Sequence, residues 1–399
     1  MNLHSGYPYW LVKEGIPYNY PKLEQNIKAD VVIMGGGISG ALLAYHLLEA
    51  GVECIVVDAR TIGLGSTSAS TGLLQYEIDT PLSKLVNLVG EYNAVRSYQL
   101  CAESIIKIGN IAKKIGFKDF SFQQSLYYAA YKKDVAFLKE EFDIRKKNGF
   151  KVTFFDAEDV NTNYHFDAPA AILSQEGGQI NAYAFTNALL QYLSKKGLKI
   201  FDRTNIKNIQ HHKAGVKLKT ERGYTIKAKQ LMYATGYEVV NYIDKKIVDL
   251  HSTFACISEQ ANEAYKFWTD NVLCWNTADP YLYLRTNDRR IIIGGRDEEF
   301  YNPTRRDELL PQKTKQLIAD FNKLFPDIDF KYEFAWTGTF GATKDGLPFI
   351  GKYKTLANSF FALGFGGNGI TFSLIAAEII RDMITGKQNK DADIFSFNR

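Results

Sequence analysis

Gly35, Gly37 and Gly40 stand at G-x-G-x-x-G spacing in the stretch "VVIMGGGISGALLAYHLL". An acidic residue, Asp58, follows about twenty residues on, the interval of dinucleotide-binding turns. The three glycines allow, in order, a tight turn, close approach of the backbone to a pyrophosphate, and tight packing of helix on strand. The turn opens a helix whose free N–H groups and dipole favour phosphate. A carboxylate at Asp58 would accept hydrogen bonds from ribose hydroxyls and repel a 2'-phosphate, which disfavours NADP. NAD and FAD both fit such a turn. Two more small-residue stretches bear on the choice. "MYATGYE" contains Ala234, Thr235 and Gly236, and "LGFGGNGI" puts Gly366, Gly367, Asn368 and Gly369 at the start of a second helix. The positive end of that helix could face the pyrimidine side of a flavin, for which a simple NAD dehydrogenase has no use.

The elements that would position these residues can be read from periodicity. "ADVVIMG" reads as a short buried strand, "ISGALLAYHLLEAG" as a helix closed by Gly51, and "VECIVVD" as the next strand, together a βαβ unit. "AYAFTNALLQYLSKKG" reads as a helix, and "VKLKTERGYTIKAKQLMYATG" as strands around Arg222-Gly223. "SFFALGF" reads as a strand feeding the helix from Ile370. Between these stretches, Tyr98, Cys101, Ile105, Ile108, Ala112 and Ile115 recur at helical spacing. "DPYLYLRTNDRRIIIGG" reads as an antiparallel hairpin turning at Asn287-Asp288. Alternation of the two kinds of segment predicts a discontinuous nucleotide-binding domain, 1–85, 151–248 and 336–399, with a second domain, 86–150 and 249–335, threaded through it.

At 399 residues the chain is long enough for two cores. Hydrophobic residues make up 46% and charged residues 23%, values of an ordinary globular protein. A net charge of +4 without a basic block gives no reason to expect nucleic acid or an anionic membrane as partner. Cys54, Cys101, Cys256 and Cys274 lie far apart, without metal-ligand spacing, so no metal site is expected. The first twenty residues lack an apolar signal core, and no window approaches the ~20 apolar residues of a spanning helix. A reducing cytoplasm is the expected compartment. His211 and His212 fall on a strand without acidic or cysteine neighbours and read as solvated residues.

With these motifs in view the chain resembles the D-amino-acid oxidase/glycine oxidase/sarcosine oxidase family of FAD-dependent oxidoreductases. The likeness rests on "VVIMGGGISG", "VVDARTIGLGSTSASTG", "MYATG", "RRIIIGG", "TKDGLPFIG" and "GFGGNGI" in that order. It implies an α/β fold: a two-domain flavoprotein with a discontinuous Rossmann-like FAD-binding domain and a substrate domain built on a large antiparallel β-sheet. Carried over position by position, Gly35, Gly37 and Ser39 would meet the pyrophosphate, with Ile38 and Gly40 of the same turn counted among the cofactor-binding residues. Asp58 would meet the ribose, with Ala59 and Arg60 at the adenosine end and Ile206 at the adenine. Ser66, Thr67 and Thr71 would line the flavin, with Ala234, Thr235 and Gly236 close by, and Gly367, Asn368, Gly369 and Ile370 would meet its pyrimidine edge.

Three departures bear on chemistry. The positions where covalent members attach the flavin hold no histidine or cysteine, since the first reads "GSTSASTG" and the second falls on Gly338, so the FAD is expected to be non-covalent. Where carboxylate-clamping members carry an arginine before the T-K-D-G run, this chain has Phe340. Where sarcosine-oxidase-like members carry an oxygen-activating lysine, it has Ile292. Arg285 on the hairpin could replace the clamp or be a solvated or ion-paired surface group. Tyr76 could hydrogen-bond substrate or only pack, and Trp336 could wall the pocket or belong to the core.

The resulting expectation is an FAD enzyme that oxidises the C–N bond of a small amine or amino acid, with the imine then hydrolysed. The cofactor would take the hydride and the protein supply orientation and a dry site. The electron acceptor would be O2 or a quinone or electron-transfer partner. Two alternatives stay open: an FAD dehydrogenase of a 2-hydroxy acid or polyol, which needs a base for the hydroxyl proton, and a flavin-binding protein of low turnover.

Overall fold

The buried run Val31–Met34 ends the strand Ile27–Met34, whose first half alternates between partly buried and exposed residues. Such a run is expected where both faces of a sheet are covered. The computed structural model, which describes residues 1–262 and 267–399, places this strand at the centre of a parallel set. Cys54–Val57 and then Lys199–Phe201 lie on one side, and Thr225–Tyr233 and Ser359–Leu363 on the other. Thr225–Tyr233 pairs along its first half with Gly215–Thr220 and along its second with Ser359–Leu363. Its outer end is therefore closed by a meander, with Gly223 at φ 91° in the turn. Helices Ile38–Glu49, Ala182–Lys195 and Gly369–Thr385 share one apolar core over this sheet.

The second half is a nine-stranded sheet. Its core strands, Tyr332–Ala342, Asp249–Ser258, Arg290–Glu298 and Tyr283–Asn287, are antiparallel neighbours in that order. Helix Pro303–Leu324 covers one face. It is capped by Asn302, whose side chain accepts from the Arg305 N–H at 3.1 Å. The opposite face roofs the parallel sheet.

Most predicted elements stand where periodicity puts them, including the 25-residue helix Glu91–Ile115. The hairpin turn is shifted by one residue. Asn287 pairs with Arg290, so the two-residue turn is Asp288-Arg289, with φ 49° and 60° as a type I′ turn requires. Sheet membership also departs from the expected domain limits. Val152–Asp156 and Ala170–Ser174 pair with each other, and the latter with Ser125–Tyr128, in the nine-stranded sheet. Residues 151–175 therefore do not join the nucleotide half. The helix Glu91–Ile115 packs against Gly369–Thr385 in the nucleotide-side core, although its place in the chain order predicts the other domain. Strand pairing and helix docking over such sequence distances leave no local signal.

Candidate active site

A cavity of about 580 Å³ runs between the two halves, within the range of small-molecule sites. At one end lies the glycine turn. Gly35 has φ 116°, and a Cβ there would stand 2.2 Å from the Ala234 carbonyl oxygen, so only glycine allows the second strand end to pass this closely. A Cβ on Gly40 would meet the Gly35 carbonyl oxygen at 1.9 Å, so Gly40 packs helix on turn and does not line the cavity. Gly37 is the one that faces open space. Its missing Cβ has a single neighbour, Thr67 Oγ1 at 2.9 Å. Helix Ile38–Glu49 begins there without a side-chain cap, although the Ile38 N–H donates to Thr67 Oγ1 at 3.0 Å.

Asp58 is held rigidly, accepting from the Gly36 N–H at 2.6 Å and the Arg60 N–H at 2.7 Å. Burial pushes its carboxyl upward against these bonds. The Arg60 guanidinium pairs with both oxygens of Glu238 at 2.9 and 2.6 Å. Ala59 and Ile206 line the same end. Further in, Ser39, Ser66, Thr71, Ala234, Thr235 and Gly236 line the wall. Ser66 Oγ and Thr235 Oγ1 are buried hydroxyls without a hydrogen-bond partner. Such groups are costly unless a ligand satisfies them. An uncapped helix start, a side-chain-free Gly37 and orphaned hydroxyls along one trough fit a dinucleotide. Of the residues singled out for cofactor contact, all but Gly40 line this one cavity.

Gly367, Asn368, Gly369 and Ile370 also line it, at the start of the last helix. Two of their polar groups are already engaged. Asn368 Nδ2 donates to the carbonyls of Gln75 (3.2 Å) and Glu77 (2.8 Å), tying the helix to that loop. The Gly367 N–H donates to Asp79 Oδ2 at 2.7 Å, so the anion at this helix start is a side chain of the protein.

Both residues expected to position substrate lie elsewhere. Tyr76 is fully buried, stacked on Phe150 at 4.9 Å between ring centroids, and its hydroxyl meets Ser174 Oγ at 3.1 Å. Arg285 is 1% exposed and outside the cavity lining. Its Nη1 donates to the carbonyls of Thr71, Gly72 and Ile180 and its Nη2 to Asn287 Oδ1. It fastens the flavin-side loop to the roof, and burial lowers its pKa to about 10. Trp336 likewise belongs to the core, donating to the Ala69 carbonyl at 2.9 Å. Ile292 is buried in the same apolar cluster, away from the cavity. His211 lies on the outer meander, Nδ1 against the Ala357 carbonyl. Phe340 does line the cavity.

The roof end holds residues that sequence reasoning passed over: Asp79, Asp297, Trp275, Tyr281 and Tyr283. Tyr281 lies 6.0 Å from both Trp275 and Tyr283 between ring centroids, making one aromatic wall. The Tyr281 hydroxyl donates to Asp79 Oδ1 at 3.1 Å. Asp79 faces the open cavity, so water reaches it, yet protein surrounds it, and this desolvation raises its pKa against the pull of Gly367, Tyr281 and His251. Asp297 is raised to about 7, by burial first and with the charge of Asp79 adding to the rise. Its Oδ1 is shut from solvent without a partner. Asp297 reaches the cavity through a bulge. Phe254 pairs with Gly295 but Ser252 with Glu298, while Gly295 and Arg296 take φ 133° and 58°. The extra residue turns Asp297 onto the side that strict alternation would give to residue 296.

The family described as FAD dependent oxidoreductase matches residues 30–383. Gamma-glutamylputrescine oxidoreductase of Escherichia coli (strain K12) is 22% identical over 92% of this chain and 86% of its own length. Glycine oxidase of Bacillus licheniformis is 24% identical over 92% and 96%. Among solved structures, glycine oxidase from Geobacillus kaustophilus superposes with a TM-score of 0.79 at 18% identity, covering 93% of this chain and 99% of that one. That likeness carries the fold.

Proposed function

The chain belongs to the FAD-dependent oxidoreductase family, and from that premise we propose that it oxidises the carbon–nitrogen bond of an amine to an imine, which water then hydrolyses. The carrying observation is the continuity of one cavity from the Gly35–Gly37 turn to the aromatic wall and carboxylates under the roof. FAD, when bound along the turn, accepts the hydride equivalent. The protein's part is to hold the amine with its C–H toward the flavin and to take the ammonium proton, since only the neutral amine carries the lone pair that becomes the C=N bond. Asp297, poised near neutrality and lacking a partner at Oδ1, suits that proton transfer. Phe340 and the three-ring wall give the cavity apolar lining beside these carboxylates. The names of the relatives, an oxidoreductase of a putrescine derivative and glycine oxidases, support the same reading.

Attachment of FAD is non-covalent in this proposal, since no cysteine or histidine is among the described residues lining the cavity. The four cysteines are free and buried, which suits a reducing cytoplasm. Among the described residues no helix is long and apolar enough to cross a membrane. Oxidation of an alcohol is the second reading, because Asp297 could equally take a hydroxyl proton. Anaerobic titration of the FAD-loaded protein with amines, amino acids, 2-hydroxy acids and polyols tests both. Bleaching of the flavin band by amines supports the proposal; bleaching by alcohols alone overturns it.

A further inference from the structure

The substrate end of the cavity has an uneven charge balance. The lining cations among the described residues are Arg60 and the Met1 amino group, and both are paired with Glu238 at the adenosine end. No lysine, arginine or histidine among the described residues lines the end formed by Gln75, Asp79, Trp275, Tyr281, Tyr283 and Asp297. Of the acids there, Glu77 is ion-paired with Arg145 at 3.3 Å, which it shares with Glu141. Asp79 and Asp297 have no ion-pair partner among the described residues. Lys313, whose charge pulls the Asp297 carboxyl down, is engaged by Glu298 at 2.5 Å and by the Arg296 carbonyl.

Uncompensated carboxylates in a largely desolvated wall are costly, and a cationic ligand would relieve the cost. The remaining wall is suited to the same guest. Tyr281, Tyr283 and Trp275 line the same end as the acids, and aromatic faces attract ammonium groups once water is excluded. A carboxylate-bearing ligand meets the opposite situation. It would find Phe340, two acids and no guanidinium or ammonium to receive it.

We infer that the site selects a cationic amine with no carboxylate beside its nitrogen, held by Asp79 and Asp297 against the wall of Tyr281, Tyr283 and Trp275. This rests on the proposed amine oxidation and names its substrate class. On binding, the ammonium N–H breaks as an O–H forms on Asp297, leaving the neutral amine in place and Asp79 ionised beside it. A zwitterionic α-amino acid cannot enter on these terms, because its carboxylate would be brought against an acidic wall.

The test measures binding apart from turnover. The FAD-loaded protein is titrated with butyltrimethylammonium, which has no nitrogen lone pair and cannot become an imine, and in parallel with benzoate and glycine, by calorimetry and perturbation of the oxidised flavin spectrum. The quaternary cation is expected to bind, and the two carboxylates not to. Asp79→Asn and Asp297→Asn should each weaken the cation by about tenfold or more while keeping full FAD content and melting no lower than wild type, with Asp→Glu restoring part of the affinity. Benzoate or glycine binding in preference to the cation overturns the inference, as does unchanged cation affinity in both amide variants. The two readings fail separately. Cation binding without flavin bleaching by any amine sinks amine oxidation and leaves the recognition standing, whereas bleaching by amino acids but not by simple amines sinks the recognition alone.

Discussion

Gly37→Val separates the cofactor role of the glycine turn from its folding role. Gly37 has φ −82° and ψ −170°, extended backbone that valine adopts without strain. A Cβ there has one neighbour within 4 Å, Thr67 Oγ1 at 2.9 Å, and otherwise projects toward the cavity. Crowding that hydroxyl, which also accepts the Ile38 N–H, costs the protein alone about 1 kcal/mol, the worth of an ordinary hydrogen bond. The pyrophosphate loses more, because the valine methyls stand where phosphate oxygens would approach the helix start. Loss of one or two charge-assisted bonds, about 3 kcal/mol together, raises the FAD dissociation constant by roughly a hundredfold or more. Gly40→Ala is the comparator. Its Cβ would fall 1.9 Å from the Gly35 carbonyl oxygen, so turn and helix must separate, and the fold suffers as well. The assay is flavin fluorescence quenching on titration of each apoprotein with FAD, beside thermal melting without FAD. Gly37→Val should melt near wild type and bind poorly, and Gly40→Ala should be impaired in both. Wild-type FAD affinity in Gly37→Val would refute the assignment of this turn to the cofactor.

Three further outcomes follow from the same geometry. Acid or heat should release all the flavin as FAD, checked by chromatography of the supernatant; colour left on the washed precipitate would contradict non-covalent binding. Arg285→Met should lower the melting temperature by several degrees, since it removes the guanidinium bonds to the carbonyls of Thr71, Gly72 and Ile180, while the apparent affinity for the amine stays unchanged; a selective loss of substrate affinity would restore Arg285 to the site. Asp297 has a folded pKa of about 7, above the usual carboxyl value, so its favourable contribution is full below the unfolded value and is lost as pH rises through 7. Asp297→Asn apoprotein should therefore gain stability over wild type at pH 8 and show none of that gain near pH 4, as read by melting across the pH range.

What was legible in the sequence was local. Gly40 is dictated by a contact with Gly35, five residues back, and the strand–turn–helix around both is written in one short stretch, so the cofactor end could be found even though the close approach that requires glycine at 35 comes from Ala234, far along the chain. The substrate end is assembled from residues 79, 275, 281, 283 and 297, which no periodicity connects. Asp297 was hidden by the bulge at Gly295-Arg296, because regular alternation assigns it to the face of Ile291 and Ile293. Tyr76 stands just after the flavin-lining motif in sequence, but its ring points into the core, and Asp79, three residues on, reaches the cavity. Arg285 shares a strand with Tyr283, yet two residues along that strand carry it over the Thr71–Gly72 carbonyls instead.

The same acidic wall bears on the electron acceptor. One-electron reduction of O2 creates an anion, and a nearby positive charge stabilises it where water is scarce. No lysine or histidine is among the described residues lining the cavity, and the wall offers Asp79 and Asp297 instead. At a separation of ~4 Å and an effective dielectric of ~20, one unit charge shifts such a step by about 4 kcal/mol, against the anion when that charge is a carboxylate. Reoxidation of the reduced protein by air should therefore be slow, with a quinone or an electron-transfer partner as acceptor. Ile292, the position that resemblance singles out, is the wrong place to test this, because its side chain lies fully buried against Trp10 and Trp336 and a lysine there would damage the core. Phe340 lines the cavity and is the better probe. Stopped-flow mixing of the anaerobically reduced protein with oxygenated buffer should show slow return of the flavin band in wild type and faster return in Phe340→Lys. Fast reoxidation in wild type, unaltered by Phe340→Lys or by Asp79→Asn, would show that the charge of this wall does not govern access to oxygen and that the protein is an oxidase.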